Sequence, residues 1–306
     1  MAAETIPVAY VKDFQAEIHR LAAQRASKLR GAVRVKTGIV GKSTTFNRLG
    51  ASELAPMNVR HGDTTYLNAE HSTRLLKPTD KGGALLLDKQ DEWKILIQPE
   101  NDYAMNLAES ANRFYDDLII AALGGSSIAV DEADAETTVT LASWKSGTRS
   151  FGGGSAGTMA KVAQARRMLD EDEKMDGEFY AVVSPQMVED LFMEVESGMA
   201  ANRFSSRDYQ DAMGLRNGTT PDGASIFGFR WIKSNRLPID GSLDRSNYFF
   251  EKRSMGLGIW ADIITRADEL PMKNYAKQAW VAVSAGATRI EEAGVVEVKI
   301  RETASS

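Results

Sequence analysis

The sequence contains no cysteine and only three histidines, at positions 19, 61 and 71. The missing cysteine excludes disulfides, thiol nucleophiles, iron–sulfur clusters and cysteine-ligated zinc together. Three histidines leave little for a histidine-rich metal site. Long apolar runs are missing too: stretches such as Leu118–Leu123 fall far short of the ~18 residues that a membrane span needs. Met1 leads into Ala-Ala-Glu-Thr without a cationic start or an apolar signal core. The expectation is a soluble, intracellularly made protein with no membrane partner.

What is present is ordinary in bulk and uneven in distribution. With 43% hydrophobic, 26% charged and 8% aromatic residues, the composition is that of a globular chain and not of a disordered one. A chain of 306 residues holds one large domain or two ordinary ones and buries roughly 75% of its unfolded surface. The net charge of -5 hides an asymmetry. Residues 1–50 carry Lys12, Arg20, Arg25, Lys28, Arg30, Arg34, Lys36, Lys42 and Arg48 against Glu4, Asp13 and Glu17, a surplus of +6 that leaves -11 for the rest. A basic arm on an acidic body points to a polyanion, an acidic partner or the body of a neighbouring copy, or else to a solvated helix face.

Along the chain, Phe14, Ile18, Leu21 or Ala22, and Leu29 recur at helical spacing and predict an amphipathic helix over 11–29, stopped at Gly31. From Gly38 to Asp88 the apolar pieces are short (Thr45–Leu49, Thr64–Leu67, Arg74–Leu76, Ala84–Leu87) and separated by Gly, Pro and Asn. That pattern predicts a long, two-sided-polar hairpin that needs something to lie against. Residues about 51–83 hold so few large apolar side chains that their removal is expected to leave the core nearly intact.

The clearest element follows. Pro99 and Asn101 or Asp102 supply helix-start chemistry, and Tyr103, Leu107, Ala111, Phe114, Leu118 and Ala122 recur on one face up to Gly124-Gly125. A helix of about 22 residues is ~33 Å long, enough to serve as a spine across a domain. Ser126–Gly157 reads as loose, Thr158–Asp170 as a helix capped by Ser155 or Thr158, and Phe179–Val183 as a strand. Ser184-Pro185 opens a helix with Val188, Leu191, Phe192 and Val195 on one face. Residues 197–224 read as a surface loop region, and strands follow at Ile226–Ile232, Tyr248–Lys252, Leu257–Ile264, Ala279–Ser284 and Val295–Ile300. Helices early and strands late predict an α+β fold and not a doubly wound sheet.

Three patterns invite an enzymatic reading, and each fails on its context. Gly38-Ile-Val-Gly-Lys-Ser-Thr44 resembles a phosphate-binding loop, in which glycines let backbone N–H groups wrap an anion. The motif needs glycine five places before Gly41, where Lys36 stands, and Thr44, Thr45 and Gly50 are poor material for the helix that must follow. Gly152-Gly-Gly154-Ser-Ala-Gly157 satisfies G-x-G-x-x-G, but no apolar strand precedes it and no acidic residue closes the next strand. Within it, Gly153-Gly-Ser155-Ala-Gly157 matches the G-x-S-x-G elbow, whose histidine follows the serine, whereas all three histidines here precede Ser155. His71, beside Glu70 and Ser72, reads as a surface residue. The acid pairs Asp116-Asp117 and Glu291-Glu292 are adjacent and do not converge on one metal. No catalytic, cofactor-binding or metal residue is expected, and no cofactor.

The segments that carry a resemblance run nearly end to end. They are Ser27-Lys-Leu-Arg-Gly31, Phe46-Asn-Arg-Leu-Gly50, His71-Ser-Thr-Arg-Leu-Leu76, and Pro99-Glu-Asn-Asp-Tyr-Ala104 leading to Arg113-Phe-Tyr-Asp-Asp-Leu-Ile-Ile120. Tyr180-Ala-Val-Val-Ser-Pro185, Phe229-Arg-Trp231, and Lys273-Asn-Tyr-Ala-Lys-Gln-Ala-Trp280 running to Gly286-Ala-Thr-Arg-Ile290 complete them. In this order they resemble the major capsid proteins of tailed bacteriophages, of the Hong Kong 97-like fold. The resemblance implies a coat protein that assembles with itself as hexamers and pentamers into an icosahedral head around double-stranded DNA. It implies an N-terminal arm at 1–40, an extended hairpin at 41–89, and a peripheral domain from 90–150, with the spine helix, and 248–306. The axial domain is then 151–247. It also implies a separate scaffolding protein, a portal, non-specific contact with packaged DNA, a place in the virion, and assembly in the host bacterial cytoplasm. The alternatives are an encapsulin-like shell of the same fold, an enzyme using the Gly152–Gly157 loop, and a tail tube or portal protein.

Overall fold

The computed structural model describes residues 24–50, 52–54, 64, 66–67, 69, 71–88, 100–131, 135–141, 149–171, 177–196 and 225–302. Two compact units divide them. One takes the described parts of Met1–Ser27, Asp80–Phe114 and Ala261–Ser284, the other those of Lys28–Thr79, Tyr115–Trp260 and Ala285–Ser306. In chain order the elements are β1 (Arg34–Thr37), β2 (Thr44–Leu49), β3 (His71–Leu76), β4 (Thr79–Leu87), α1 (Glu100–Gly124), β5 (Ser126–Val130), β6 (Glu136–Thr140) and β7 (Ser150–Gly152). There follow α2 (Met159–Asp170), β8 (Phe179–Val183), α3 (Pro185–Glu196), β9 (Ser225–Ile226), β10 (Phe229–Lys233), β11 (Asp244–Glu251), β12 (Met255–Leu270), β13 (Ala276–Arg289) and β14 (Val295–Arg301). Apart from β8, α3 and β10, whose two strands run parallel, helices and strands of the described residues are not interleaved as βαβ units, which is the α+β arrangement that the pattern predicts.

The second unit is organised by a six-stranded sheet of order β7-β14-β11-β8-β10-β9. Phe-Tyr-Ala-Val-Val of β8 is buried at every position, as a continuous apolar run must be when both sides of a strand are covered. Parallel β10 on one side and antiparallel β11 on the other complete its ladders. Strands β11 and β14, from late in the chain, thus share a sheet with β8 and β10. Phe249 meets Phe229 edge to face at 5.1 Å and Trp231 at 6.1 Å, and α2 adds Val162, Ala165 and Leu169 to the same core. Thr158 caps α2 by accepting from the Lys161 N–H, and the Ser184 hydroxyl accepts from the Met187 N–H at the start of α3.

In the same unit β2, β3, β5 and β6 form a four-stranded antiparallel sheet. The last sheet has the order β1-β12-β13-β4, with β1 parallel to β12. The Met255-Gly-Leu-Gly-Ile259 run of β12 shows why glycine alternates there. A Cβ on Gly256 would lie 2.7 Å from the Phe46 ring, and one on Gly258 would lie 2.5 Å from Leu76. The two glycines give β12 a smooth face on which Phe46 and Leu76 pack with Ile290 and Trp260.

Several expectations need correction. Residues 24–29 are not helical; the Lys28 and Leu29 N–H groups instead donate to the Asp116 carboxylate, each at 3.1 Å, and only Arg30–Ala32 turns as a 3-10 helix. The remainder of the 11–29 helix, and the 197–224 loop, lie outside the described residues. The segment 126–157 is not loose but carries β5, β6 and β7. The single strand expected over Ile226–Ile232 is a hairpin, because Phe227 (φ 53°) and Gly228 (φ 75°) form a tight turn between β9 and β10. The face of α1 is also displaced: Tyr115, Ile119 and Leu123 are fully buried, whereas Leu118 is half-buried. Finally, residues 51–83 are not dispensable. They include β3, whose Leu76 and Arg74 are buried.

Candidate functional site

The glycine-rich loop at 152–157 has the donors that a phosphate needs, but they are already engaged. Gly153 N–H donates to the Lys299 carbonyl at 2.9 Å, Gly154 N–H to Asp244 Oδ1 at 2.9 Å, and Gly157 N–H to Asp190 Oδ2 at 2.7 Å. An anion placed here would meet two carboxylates. The Gly154 N–H, and then Arg301, hold the Asp244 carboxyl below the usual carboxylate range, so it stays charged at neutral pH. Ser155 is exposed and contributes its carbonyl, which accepts from the Arg301 N–H and the Lys161 ammonium. The other glycine loop, at 38–43, leads into strand β2 rather than a helix, and the Gly41 carbonyl accepts from the Trp260 indole at 2.8 Å. His71 is exposed on the last rung of the β2–β3 ladder, opposite Leu49.

The acid pairs diverge. Asp116 turns inward to the Lys28 and Leu29 N–H groups, and Asp117 pairs with Arg236. Glu291 is partly exposed and Glu292 fully buried. Two hollows in the unit containing 80–114 and 261–284 measure about 110 and 140 Å³. Both are well below the roughly 300 Å³ at which small-molecule sites begin.

The most concentrated buried polar group joins elements distant in sequence. Arg74 of β3 donates to both oxygens of Glu292, at 3.0 and 2.9 Å, and Ser127 of β5 donates to Glu292 Oε1 at 3.0 Å. Arg289 of β13 is completely buried and donates to the carbonyls of Leu123 (2.9 Å) and Gly125 (2.8 Å) at the C-terminal end of α1, where a cation complements the helix dipole. Burial pushes the Arg289 pKa down and the Glu292 carboxylate, which pairs directly with Arg74, opposes that shift. This clamp ties β3, β5, the end of α1 and the β13–β14 turn together. A signal for it exists in the sequence: Arg289, Glu291 and Glu292 are charges set within the apolar C-terminal run.

Outside the cores, large apolar side chains stand in solvent. Leu54 is 92% exposed, Tyr66 89% and Met272 98%, with Leu49, Tyr275 and Ile264 also open. Leu49, Leu54 and Tyr66 belong to β2 and the segment that follows it, and Ile264, Met272 and Tyr275 to the β12–β13 hairpin. Against this background, a family model described as phage capsid protein matches residues 6–302. The chain belongs to the phage capsid protein family. Comparison with curated protein sequences returns no match.

Solved structures agree on the fold. The capsid asymmetric unit of cyanophage Pam1 is similar with a TM-score of 0.70 and 16% identity, covering 99% of this chain and 100% of that one. A chain of Mycobacterium phage Che8 gives 0.63 and 14%, covering 97% and 98%. The head structure of Helicobacter pylori bacteriophage KHP40 gives 0.67 and 10%, covering 99% of each chain. Mixed α+β architecture of the Hong Kong 97-like kind is therefore what this phage capsid chain adopts.

Proposed function

We propose that this chain is the major capsid protein that builds the icosahedral head of a tailed phage from hexamers and pentamers of itself around double-stranded DNA. The observation that carries the reading is the phage capsid family match over 6–302. It is supported by apolar side chains left in solvent on hairpins, where copies of a shell protein would meet. The role is structural. Residues 1–40 act as the arm, 41–89 as the extended hairpin, 90–150 with 248–306 as the peripheral domain, and 151–247 as the axial domain, whose sheet β11 and β14 complete. A separate scaffolding protein and a portal serve assembly in the host bacterial cytoplasm, and the product resides in the virion.

The test is electron microscopy of the protein expressed in bacteria, alone and with a scaffolding protein. Closed shells support the reading. Tubes, isolated rings or only monomers under both conditions refute it.

A further inference from the structure

The geometry points to a phosphate-contact surface made by Arg34, Lys36, Lys42 and Arg253, which we propose touches the duplex enclosed by the shell. Its partner rests on the capsid reading; the surface and its residues go beyond it. All four residues of β1 are exposed. Strand alternation puts Arg34 and Lys36 on one side, about 6.6 Å apart. Both cations stand 5.9 Å from the centroid of the Phe46 ring, so one buried aromatic face holds two like charges together. The Lys36 ammonium donates to Thr44 Oγ1 at 2.8 Å and to the Thr45 carbonyl at 3.4 Å, neutral acceptors that leave its charge uncompensated. Lys42 is exposed in the turn just before Thr44. Strand β1 lies against the 252–254 turn, whose Arg253 is also exposed.

No carboxylate among the described residues lies within salt-bridge distance of any of the four. Other arginines of the same unit do have such partners: Arg48 and Arg74 with Glu292, Arg166 with Asp170, Arg236 with Asp117 and Arg301 with Asp244. Like charges held together without counterions raise the local potential, and a polyanion relieves it. Phosphate-backbone binding needs only such charges, whereas a protein partner is anchored by aromatic or apolar groups. Of the two rings here, Phe46 is buried beneath the cations and Trp260 is half-buried with its indole N–H donating to the Gly41 carbonyl, and the exposed apolar side chains, Val35 and Val40, are short.

The test uses the full chain, a fluorescent duplex of about 20 base pairs and anisotropy between 50 and 200 mM salt. Four phosphate contacts, at a log–log slope of about 0.9 each, make the unsubstituted chain lose on the order of 100-fold more affinity over that range than a chain with Arg34, Lys36, Lys42 and Arg253 all changed to Gln. The pair Lys42→Gln and Arg253→Gln, which leaves the Phe46 packing intact, should remove about half of that slope. A control with Arg167, Arg230, Arg266 and Lys273 changed to Gln carries the same charge change and should keep the original slope. An unchanged slope in both patch variants overturns the inference, as does an equal loss in the control. If the patch variants keep duplex binding but lose self-association in sedimentation, the surface meets a second copy and the inference fails. Closed shells from a chain that binds no duplex at 50 mM salt would overturn the surface while leaving the capsid reading standing.

Discussion

The six-stranded sheet and the outer half of β12 follow opposite rules of burial. Strand β8 has no exposed residue, and β11 has only Arg245 half-open. Strand β12 begins the same way, with Met255–Ile259 buried, and then from Asp262 onward is largely exposed. Past its end, Met272 is 98% exposed. One region completes its core within the chain; the other offers apolar side chains that nothing in the same region covers. That division separates the part that carries the subunit's own core from the part that leaves Ile264, Met272 and Tyr275 in solvent.

Substitutions on the two sides should separate cleanly. Trp231→Ala removes a fully buried indole from the six-stranded sheet and should cost about 4 kcal/mol, read from denaturant midpoints, a large share of a domain's usual margin. A cost under ~1 kcal/mol would mean that this core is not the keystone. Glu292→Ala strands Arg74 in a buried site and should cost about 3 kcal/mol, and Glu292→Gln less, because it retains an acceptor. Equal losses for the two would show that a neutral acceptor contributes nothing and that the charge carries the whole effect. Gly286→Ala places a Cβ 2.4 Å from the Lys77 carbonyl oxygen, a backbone atom that cannot swing away, and should cost about 2 kcal/mol. Met272→Ser should change thermal stability by less than ~0.5 kcal/mol. A large loss there would show that the tip is covered within the chain.

What was legible in the sequence was what depends on neighbours along the chain. The start of α2 at Thr158, the Ser184-Pro185 opening of α3 and the full extent of β8 follow from caps and an apolar run, all local signals. Strands β5 and β6 were hidden because Ser-Ser-Ile-Ala-Val and Glu-Thr-Thr-Val-Thr are short, polar and partly exposed, so neither period stands out. The engagement of the glycine loop was hidden for another reason. Asp244 and Asp190 lie 90 and 33 residues from the N–H groups they accept. The Arg74–Glu292 pair spans 218 residues, a separation that no spacing rule reaches. The α1 stripe was misplaced by about one residue because that helix also buries Asp116, a polar side chain that the apolar pattern ignores.

The division between a self-sufficient core and partner-dependent hairpins is tested most directly by shortening the β2–β3 connection. The replacement must spare β3 and β4, so it covers residues 51–69 with a short Gly/Ser turn and leaves the Leu49–His71 rung in place. Circular dichroism and electron microscopy are then run side by side on the shortened and full chains. The account predicts closed shells from the full chain, and from the shortened one a subunit with the same spectrum that forms none. Normal shells from the shortened chain, or loss of its folded spectrum, would contradict it.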